Sequence, residues 1–260
     1  MDNMIVIDNL SFRYDNNIVF KNLSLCIRRG SFTTVLGNNG SGKSTLVKLL
    51  TGRLKSNSIF IDGKLNSFSN IGVVYDNSDF SLVSETVMDS LAFPLENLNC
   101  ARDYIFSRIN EVSSYLGIGH LLNRSCSSLS GGEKSLVCLG CALITGPKLL
   151  ILDEAFSMIS DIDRVNVLMY LRRINKDFGI TILNFTHDIE ESVYGDDILI
   201  LSRGVLIHDS RDKVYSDEKL LRSNGFDLPF MVSLSNKLSY YDMVDSIIFD
   251  MDEMVDLLWK

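Results

Sequence analysis

The sequence has no apolar run long enough to cross a membrane. The best candidate, Leu136 to Leu152, is interrupted by Gly146-Pro147-Lys148, whereas a spanning helix needs about 18 or more apolar residues. The first residues, Met1-Asp2-Asn3-Met4, carry no positive charge of the kind that opens a secretory signal. We therefore expect a cytosolic chain that reaches a membrane only through a partner.

Basic residues are outnumbered by acidic ones. The chain has 25 Lys and Arg against 33 Asp and Glu, a formal net charge of −8 and a pI near 4.9. A surface that binds nucleic acid neutralises phosphates with clustered Lys and Arg. The charge balance therefore argues against nucleic acid as a partner, although local basic patches stay possible.

Cysteines are few, and they show no disulfide framework. Their number, five, is odd, which is typical of a protein in a reducing compartment. Cys138 and Cys141 have a C-x-x-C spacing but lie in an apolar segment with a helical pattern. We interpret them as packing residues, with a redox or metal role as the less favoured alternative.

The most informative stretch is a glycine-rich loop between two apolar runs. It follows Phe32-Thr33-Thr34-Val35-Leu36 and precedes Leu46-Val47-Lys48-Leu49-Leu50, which predicts a strand, a loop and a helix. The pattern G-x-x-x-x-G-K-[ST] folds its backbone amides around phosphates, and the following helix adds its positive dipole end. A glycine-rich turn that binds nothing is the alternative. The predicted phosphate-binding residues are Gly37, Asn38, Asn39, Gly40, Ser41, Gly42, Lys43, Ser44 and Thr45.

Within this loop, two side chains have particular chemistry. Lys43 is expected to reach the β- and γ-phosphates, and the hydroxyl of Ser44 to bind Mg²⁺. A second glycine-containing anion nest, Leu129-Ser130-Gly131-Gly132-Glu133, opens a helix that continues through Leu143. Before it, residues 85–98 and 102–117 have helical periodicity with Thr86 as a cap, which predicts an inserted helical block over about 85–134.

Two carboxylates follow a continuous apolar run. Leu149 to Leu152 leads directly into Asp153 and Glu154, and such a run is typical of a strand whose sheet is covered on both faces. Carboxylates in that setting are costly unless they have a task. Asp153 is expected to bind Mg²⁺ and Glu154 to polarise a water, with an acidic helix cap as the alternative.

Two further residues are candidates by position. His187 comes just after the apolar strand 180–185, and ligands of open α/β sheets collect at the C-terminal ends of strands. A contact to a γ-phosphate is favoured over a purely structural histidine. Tyr14 lies in an aromatic cluster before a turn, where it is either a base-stacking residue or an ordinary half-buried strand aromatic.

The remaining pattern completes the predicted order of elements. Further strands are predicted at 4–10, 23–27, 58–63 and 71–76, a helix at 163–177 with Val165 and Leu168 on its apolar side, and a hairpin from 198–201 and 205–208. From 223 to 260 the pattern changes to a small helical extension. Its last helix is expected to be capped by Asp250 and to bury Met254, Val255 and Leu258.

Together, the phosphate loop, Leu129-Ser130-Gly131-Gly132-Glu133, Asp153-Glu154 and His187, in this order, resemble the ATP-binding cassette (ABC) ATPases. The Leu-Ser-Gly-Gly signature separates that family from other phosphate-loop ATPases. Residues 86–97, Asp153 to Met158 and 225–230 are similar to the ATPase subunits of energy-coupling factor (ECF) transporters, which take up vitamins and transition-metal ions. The Ser157-Met158 pair is similar to the first of two paralogous ATPases.

The resemblance implies an α/β phosphate-loop (RecA-like) ABC nucleotide-binding domain at 1–222, with an N-terminal antiparallel β subdomain, the helical subdomain, and an extension at 223–260 that contacts the partner ATPase. It implies ATP and Mg²⁺ as cofactors, with Ser44, Asp76 and Asp153 as metal ligands. Two subunits would enclose ATP between the phosphate loop of one and Ser130, Gly131 and Gly132 of the other. Tyr14 would stack on adenine, and Glu154 and His187 would act in hydrolysis.

The implied partners are a second ATPase subunit, a transmembrane coupling subunit and a substrate-binding membrane subunit. The implied location is the cytoplasmic face of the cell membrane. Two rival interpretations keep the fold: a soluble ABC ATPase of DNA repair or translation, and a regulatory subunit that closes on ATP without appreciable hydrolysis. The acidic charge and the lack of coiled-coil or zinc insertions disfavour the first.

Three positions depart from the family pattern. Asp76 stands where a Gln is usual, Phe156 where a small Thr is usual, and Ser160 where an Asp is usual, with Asp161 adjacent to it. An aspartate at 76 can still bind Mg²⁺, but it adds negative charge near the phosphates. We therefore hypothesise a site that binds ATP normally and turns it over slowly or asymmetrically in a heterodimer.

Overall fold

A computed structural model of the chain describes residues 2–65, 71–75, 82, 84–157, 159–202 and 204–259. The strands are β1 (Asn3–Tyr14), β2 (Asn17–Arg28), β3 (Phe32–Leu36), β4 (Ile59–Ile61), β5 (Lys64–Leu65), β6 (Ile71–Tyr75), β7 (Leu149–Asp153), β8 (Thr181–Thr186), β9 (Asp197–Ser202) and β10 (Val205–Ser210). The helices are α1 (Lys43–Leu50), α2 (Val87–Asn97), α3 (Arg102–Tyr115), α4 (Gly131–Leu143), α5 (Asp161–Phe178), α6 (Arg211–Ser216), α7 (Glu218–Ser223), α8 (Phe230–Tyr240) and α9 (Met251–Leu258).

The strands form two sheets. The first is antiparallel, in the order β2-β1-β4-β5, and confirms the predicted N-terminal β subdomain. The second has the order β10-β9-β3-β8-β7-β6 and is parallel except for β10. Because β3, β8 and β7 are neighbours and parallel, the loops that follow them meet at one edge of the sheet.

Both faces of the second sheet are covered, as the apolar run before Asp153 predicts. Leu149 and Ile151 pack with residues of β1, β2 and α1. Leu150 and Leu152, which point to the opposite face, pack with the helices α2 to α5. Because successive side chains of a strand point to opposite faces of the sheet, this one apolar run contributes to two hydrophobic cores.

The helical block is confirmed. The Thr86 side chain accepts a hydrogen bond from the Asp89 amide and caps α2, and apolar residues of α3, among them Ile105 and Ile109, are buried against α2 and α4. Among the described residues, no helix combines the length and the hydropathy that a bilayer-spanning segment requires.

Two expected core residues lie at the surface instead. Val165 of α5 is 41% exposed while Val167 is buried, and Val255 of α9 is 44% exposed while Met254 is buried. Helix α5 has the predicted extent to within about two residues, and Asp250 caps α9 as predicted, accepting from the Glu253 amide at 2.9 Å. The predicted positions Leu168 and Met254 are buried, so each helix turns its predicted face to the core, and the neighbouring elements decide how far the buried stripe extends.

The C-terminal extension packs on the main sheet. Phe226 and Val232 share a core cluster with Leu36 of β3 and with Ile198 and Ile200 of β9. A second, smaller cluster joins α8 to α9 through Leu234, Val244, Ile248 and Met254. The boundary near residue 222 stays a prediction.

Candidate active site

The phosphate loop joins the C-terminal end of β3 to α1, as predicted. The Gly37 amide donates to the carbonyl oxygen of Thr186 at 3.2 Å, which fixes the start of the loop to the end of β8. Gly42 has φ +106°, and a Cβ atom there would lie 3.0 Å from the Phe20 ring. Neither the backbone conformation nor the space at this position admits a side chain.

The loop fits a phosphate ligand. Ser41 Oγ is buried, and it is one of the few buried side-chain polar atoms of the described residues that have no hydrogen-bond partner. A buried hydroxyl without a partner is costly, because it loses its hydrogen bonds to water. A phosphate oxygen held in the loop would supply that partner, beside the first amides of α1. Ser44 at the start of α1 is exposed and therefore accessible to a metal ion.

Lys43, Glu154 and His187 are brought together from three loops. Lys43 Nζ lies 2.5 Å from the Gly37 carbonyl oxygen and 3.1 Å from Glu154 Oε1. The other carboxylate oxygen of Glu154 lies 2.9 Å from His187 Nδ1. One carboxylate thus joins the phosphate-loop lysine to the histidine that follows β8.

The carboxylate of Glu154 is ionised. Burial alone would raise its pKa, but Lys43 and His187 outweigh burial and lower the pKa of Glu154 below its ordinary value. An ionised carboxylate only accepts hydrogen bonds, so His187 Nδ1 is the donor in their contact. Glu154 also has φ +49°, a left-handed backbone conformation that is uncommon outside glycine. The structure thus holds the carboxylate in a fixed place at the strand ends.

Asp153 is the last residue of β7 and pairs in register with Phe185 of β8. Magnesium usually keeps several waters and uses one or two protein carboxylates together with substrate phosphates. Among the described residues, no group of three or more His, Cys, Asp and Glu side chains converges on one point. Asp153 and Ser44 suit a metal ion that arrives with a nucleotide. The predicted third ligand, Asp76, lies outside the described residues.

Ser130, Gly131 and Gly132 lie at the start of α4, away from the phosphate loop. Ser130 and Glu133 form a reciprocal capping box, with the Ser130 amide donating to Glu133 Oε2 at 2.7 Å. A cavity of about 370 Å³ next to them is lined by α4, α5 and Gly117, and none of its lining residues comes from the phosphate loop. The chain alone does not bring the two predicted ATP-binding regions together.

Tyr14 ends β1 with its side chain 42% exposed. Its ring contacts Phe12 edge to face at 5.0 Å between centroids. The ring is accessible for stacking, but it is also an ordinary strand aromatic in its packing. Stacking on adenine stays a prediction.

The structure also shows a residue that the sequence pattern missed. Arg164 of α5 contacts Asp161 at 2.7 Å and Asp188, next to His187, at 3.1 Å. It connects the loop after Glu154 with the loop after β8. No local signal identifies it, because an arginine on a polar helix face is ordinary in sequence and Asp188 is distant along the chain.

Comparison with known proteins agrees with this arrangement. A family model described as ABC transporter matches residues 20–157, more than half of the chain. The energy-coupling factor transporter ATP-binding protein EcfA1 of Streptococcus pneumoniae is 34% identical over 274 aligned residues, which cover 100% of this chain and 99% of that protein. EcfA1 of Halalkalibacterium halodurans is 32% identical, with 100% and 98% covered.

Solved structures show the same fold. CbiO1 of Clostridium perfringens, described as part of the ABC transporter complex CbiONQ, superposes with a TM-score of 0.79 at 29% identity and covers 91% of this chain and 100% of its own. The ATP-binding cassette MJ1267 in its ADP conformation has a TM-score of 0.75 at 23% identity, covering 85% and 98%, and supports the fold alone. With these relatives and this site, the chain belongs to the ABC transporter family, among the energy-coupling factor ATP-binding proteins.

Proposed function

We propose that this chain is the ATP-binding and ATP-hydrolysing subunit of an ECF-type ABC importer. The observation that carries the proposal is the contact series Lys43, Glu154 and His187 beside the phosphate loop. It puts a cation, an ionised carboxylate and an imidazole at the strand ends where the γ-phosphate of bound ATP would lie. These are the groups that phosphoryl transfer to water requires.

Each group has a distinct task. The loop amides and Lys43 bind the β- and γ-phosphates, and Glu154 orients and polarises the attacking water as a proton acceptor. Mg²⁺, held by Ser44 and Asp153 with Asp76, would neutralise charge on the phosphate oxygens. His187 would contact the γ-phosphate. Because the transition state is mainly charge spread over oxygens, positioning and electrostatics provide the catalysis.

Glu154 and the γ-phosphate compete for the same partners. Lys43 and His187 both contact the Glu154 carboxylate. The γ-phosphate of ATP would bind the same two side chains. An incoming phosphate therefore displaces them from Glu154 and leaves the carboxylate available to a water. For this reason, we expect Glu154→Gln to bind ATP at least as tightly as the wild type while losing hydrolysis.

The second part of each ATP site comes from another ATPase subunit. Ser130 and Gly132 line a cavity without phosphate-loop residues, so the segment 130–132 suits the nucleotide of a partner. The extension at 223–260 exposes an apolar surface in which Tyr240, Tyr241 and Trp259 are the most exposed members, and such a surface is typical of a subunit contact. We assign it to the contact between ATPases, the partner being a paralogue.

Membership of the family supports membrane partners and a location at the membrane. A transmembrane coupling subunit would hold the chain at the cytoplasmic face of the membrane. A groove beside residues 75–95 would take a helix of that subunit, although residues 76–81 and 83 lie outside the described part. A separate membrane subunit would bind the cargo, a vitamin or a transition-metal ion.

A slow or asymmetric site is the second candidate, favoured by the departures at Asp76 and Ser160. Ser160 caps α5, because its side chain accepts a hydrogen bond from the Asp163 amide at 3.2 Å. Its hydroxyl thus has a structural task at the position where the family usually has an aspartate. Asp161, the suggested substitute, is bonded to Arg164. Phe156 is fully buried in the core. A soluble ABC ATPase is disfavoured by the transporter names of the relatives.

Steady-state phosphate release tests the proposal. The chain would be assayed alone and assembled with its transmembrane and ATPase partners, with Glu154→Gln as the control variant. We expect release in the assembled complex that falls at least about 100-fold at this chain's site with Glu154→Gln. Release that is unchanged by Glu154→Gln would assign hydrolysis to the partner's site and favour the second candidate.

A further inference from the structure

The C-terminal extension contacts the phosphate loop. Asn38 Nδ2 donates to the carbonyl oxygen of Asn224 at 3.0 Å. The motif G-x-x-x-x-G-K-[ST] leaves position 38 unspecified, so its side chain is available for another task. The Asn38 main chain stays in the loop, where its carbonyl oxygen accepts from the Ser41 amide at 3.1 Å. One residue therefore belongs to the phosphate loop by its backbone and to the extension by its side chain.

Gly225 makes this approach possible. Its φ is +84°, and a Cβ atom there would lie 2.9 Å from Asn38 Nδ2. A side chain at 225 would both strain the backbone and push against the Asn38 amide. The backbone of 224–225 is thus shaped to approach the loop closely.

A second contact joins the extension to the segment that carries His187. Glu190 Oε1 accepts from the Phe230 amide, the first of α8, at 2.8 Å. The N-cap residue of α8 is Pro229, whose side chain cannot accept a hydrogen bond, so Glu190 caps this helix from a distant part of the chain. The Glu190 amide in turn donates to Asp188 at 2.9 Å, next to His187.

Side-chain packing connects the two contacts to each other. Between them along the chain, Phe226 is buried in the same cluster as Leu36, the residue immediately before the phosphate loop, and Val232 of α8 joins it. Close-packed side chains transmit displacement because they leave no space to absorb it. A shift of the loop or of the His187 segment therefore moves α8.

We propose that the Asn38–Asn224 and Glu190–Phe230 contacts form a latch that couples nucleotide occupancy to the position of the C-terminal extension, with Asn38 and Glu190 as positioning residues. The proposal rests on the proposed function, since ATP is the ligand that the latch senses. Coupling of this kind is reciprocal: the docked extension raises nucleotide affinity, and bound nucleotide steadies the extension. Nucleotide binding would thus change the position of the apolar surface around Tyr240 and Trp259.

Equilibrium binding and hydrogen exchange of the full chain test the latch. Asn38→Ala and Glu190→Ala each remove one contact, and Glu190→Gln retains an acceptor oxygen. Asp227→Asn is the matched control, because Asp227 is an exposed residue of the same segment and makes no hydrogen bond or ion pair within the described part of the chain. Binding of MgATP would be measured by calorimetry, and amide exchange over 224–240 with and without MgATP.

We expect Asn38→Ala and Glu190→Ala each to raise the dissociation constant of MgATP by about 3- to 10-fold, the range for one lost hydrogen bond. Glu190→Gln should restore most of the affinity and Asp227→Asn should not change it. MgATP should slow exchange over 224–240 in the wild type and lose that effect in Asn38→Ala. In the assembled complex, Glu190→Ala should raise KM while kcat stays constant, which a general loss of folding would not produce.

The outcomes separate the latch from the proposed function. Wild-type MgATP binding that leaves exchange over 224–240 unchanged, or variants that bind as the wild type does, would overturn the latch while ATP binding stands. A wild-type chain that does not bind MgATP would overturn both.

Discussion

The two predicted ATP-binding regions of this chain are built in different ways. Lys43, Glu154 and His187 come from three loops and meet through tertiary contacts of 3.1 Å or less. Ser130 and Glu133, by contrast, satisfy each other across three residues of one helix end. The first region is assembled within the chain, whereas no phosphate-loop residue lines the cavity beside Ser130. This difference supports the proposal that a second subunit completes the ATP site.

The largest expected effect is that of removing the positive charge of Lys43 from the phosphate loop. Lys43→Met keeps the aliphatic length but deletes the charge that contacts Glu154 and would contact phosphate. We expect the dissociation constant of MgATP to rise about 100-fold or more, because charge-assisted contacts to phosphate are strong. Calorimetry on the full chain measures it. Lys48→Met, an exposed lysine at the other end of α1, is the control, and a change below about threefold in Lys43→Met would contradict the assignment.

A variant in the signature should affect only the shared site. Ser130→Ala should leave MgATP binding by the isolated chain unchanged and lower phosphate release by the assembled complex about 100-fold, the size expected for one positioned donor. Thr86→Ala removes a comparable helix cap from α2 and controls for the lost cap, about 1 kcal/mol of stability. If Ser130→Ala weakened binding to the isolated chain, the separation of the two regions would be wrong.

Asp76→Gln tests the departure from the family pattern. Under the hypothesis that Asp76 takes the role of the Gln of the family pattern, restoring the amide and removing the negative charge should raise kcat of the assembled complex about threefold, since positioning and electrostatics provide the catalysis. Asp76→Asn removes the charge with a shorter side chain and separates charge from reach. Unchanged phosphate release in Asp76→Gln would count against a slow site.

The smallest effect on ATP binding is expected for a buried carboxyl, Glu191, which acts on the stability of the fold. Burial raises the pKa of Glu191 to about 6, although Asn184 donates to it at 2.7 Å. The folded state therefore binds this proton more tightly than the unfolded state does. The resulting contribution to the free energy of unfolding is fully present below the pKa of Glu191 in the unfolded chain, and it is lost as the pH rises through about 6. Glu191→Gln should therefore raise the unfolding free energy at pH 8 by about 2 kcal/mol.

Urea unfolding at pH 5 and pH 8 measures this change. The fall in stability between the two pH values should be smaller in Glu191→Gln than in the wild type. The exposed Glu96→Gln serves as the control variant. Equal pH dependence in wild type and Glu191→Gln would show that Glu191 is not held protonated by the fold.

Most elements of the fold could be predicted because their signals are local. The glycines of the phosphate loop, the Thr86 cap and the apolar run before Asp153 each specify a structure within a few residues, and each is confirmed. The exposure of Val165 and Val255 could not be predicted, although the positions Leu168 and Met254 on the same helices are buried as predicted. Burial of a helix face depends on which surfaces surround it, and those surfaces are distant in sequence.

By itself, the sequence determined the phosphate loop, the signature, the acidic pair at the end of β7 and the histidine after β8, because each needs particular residue types at fixed spacing. Only the tertiary structure decided which of them meet: the strand order β3-β8-β7 brings Lys43, Glu154 and His187 together and leaves Ser130 apart. It also decided the contacts of Arg164, Glu190 and Asn38, because a hydrogen bond between distant segments depends on packing and leaves no periodic pattern in the chain.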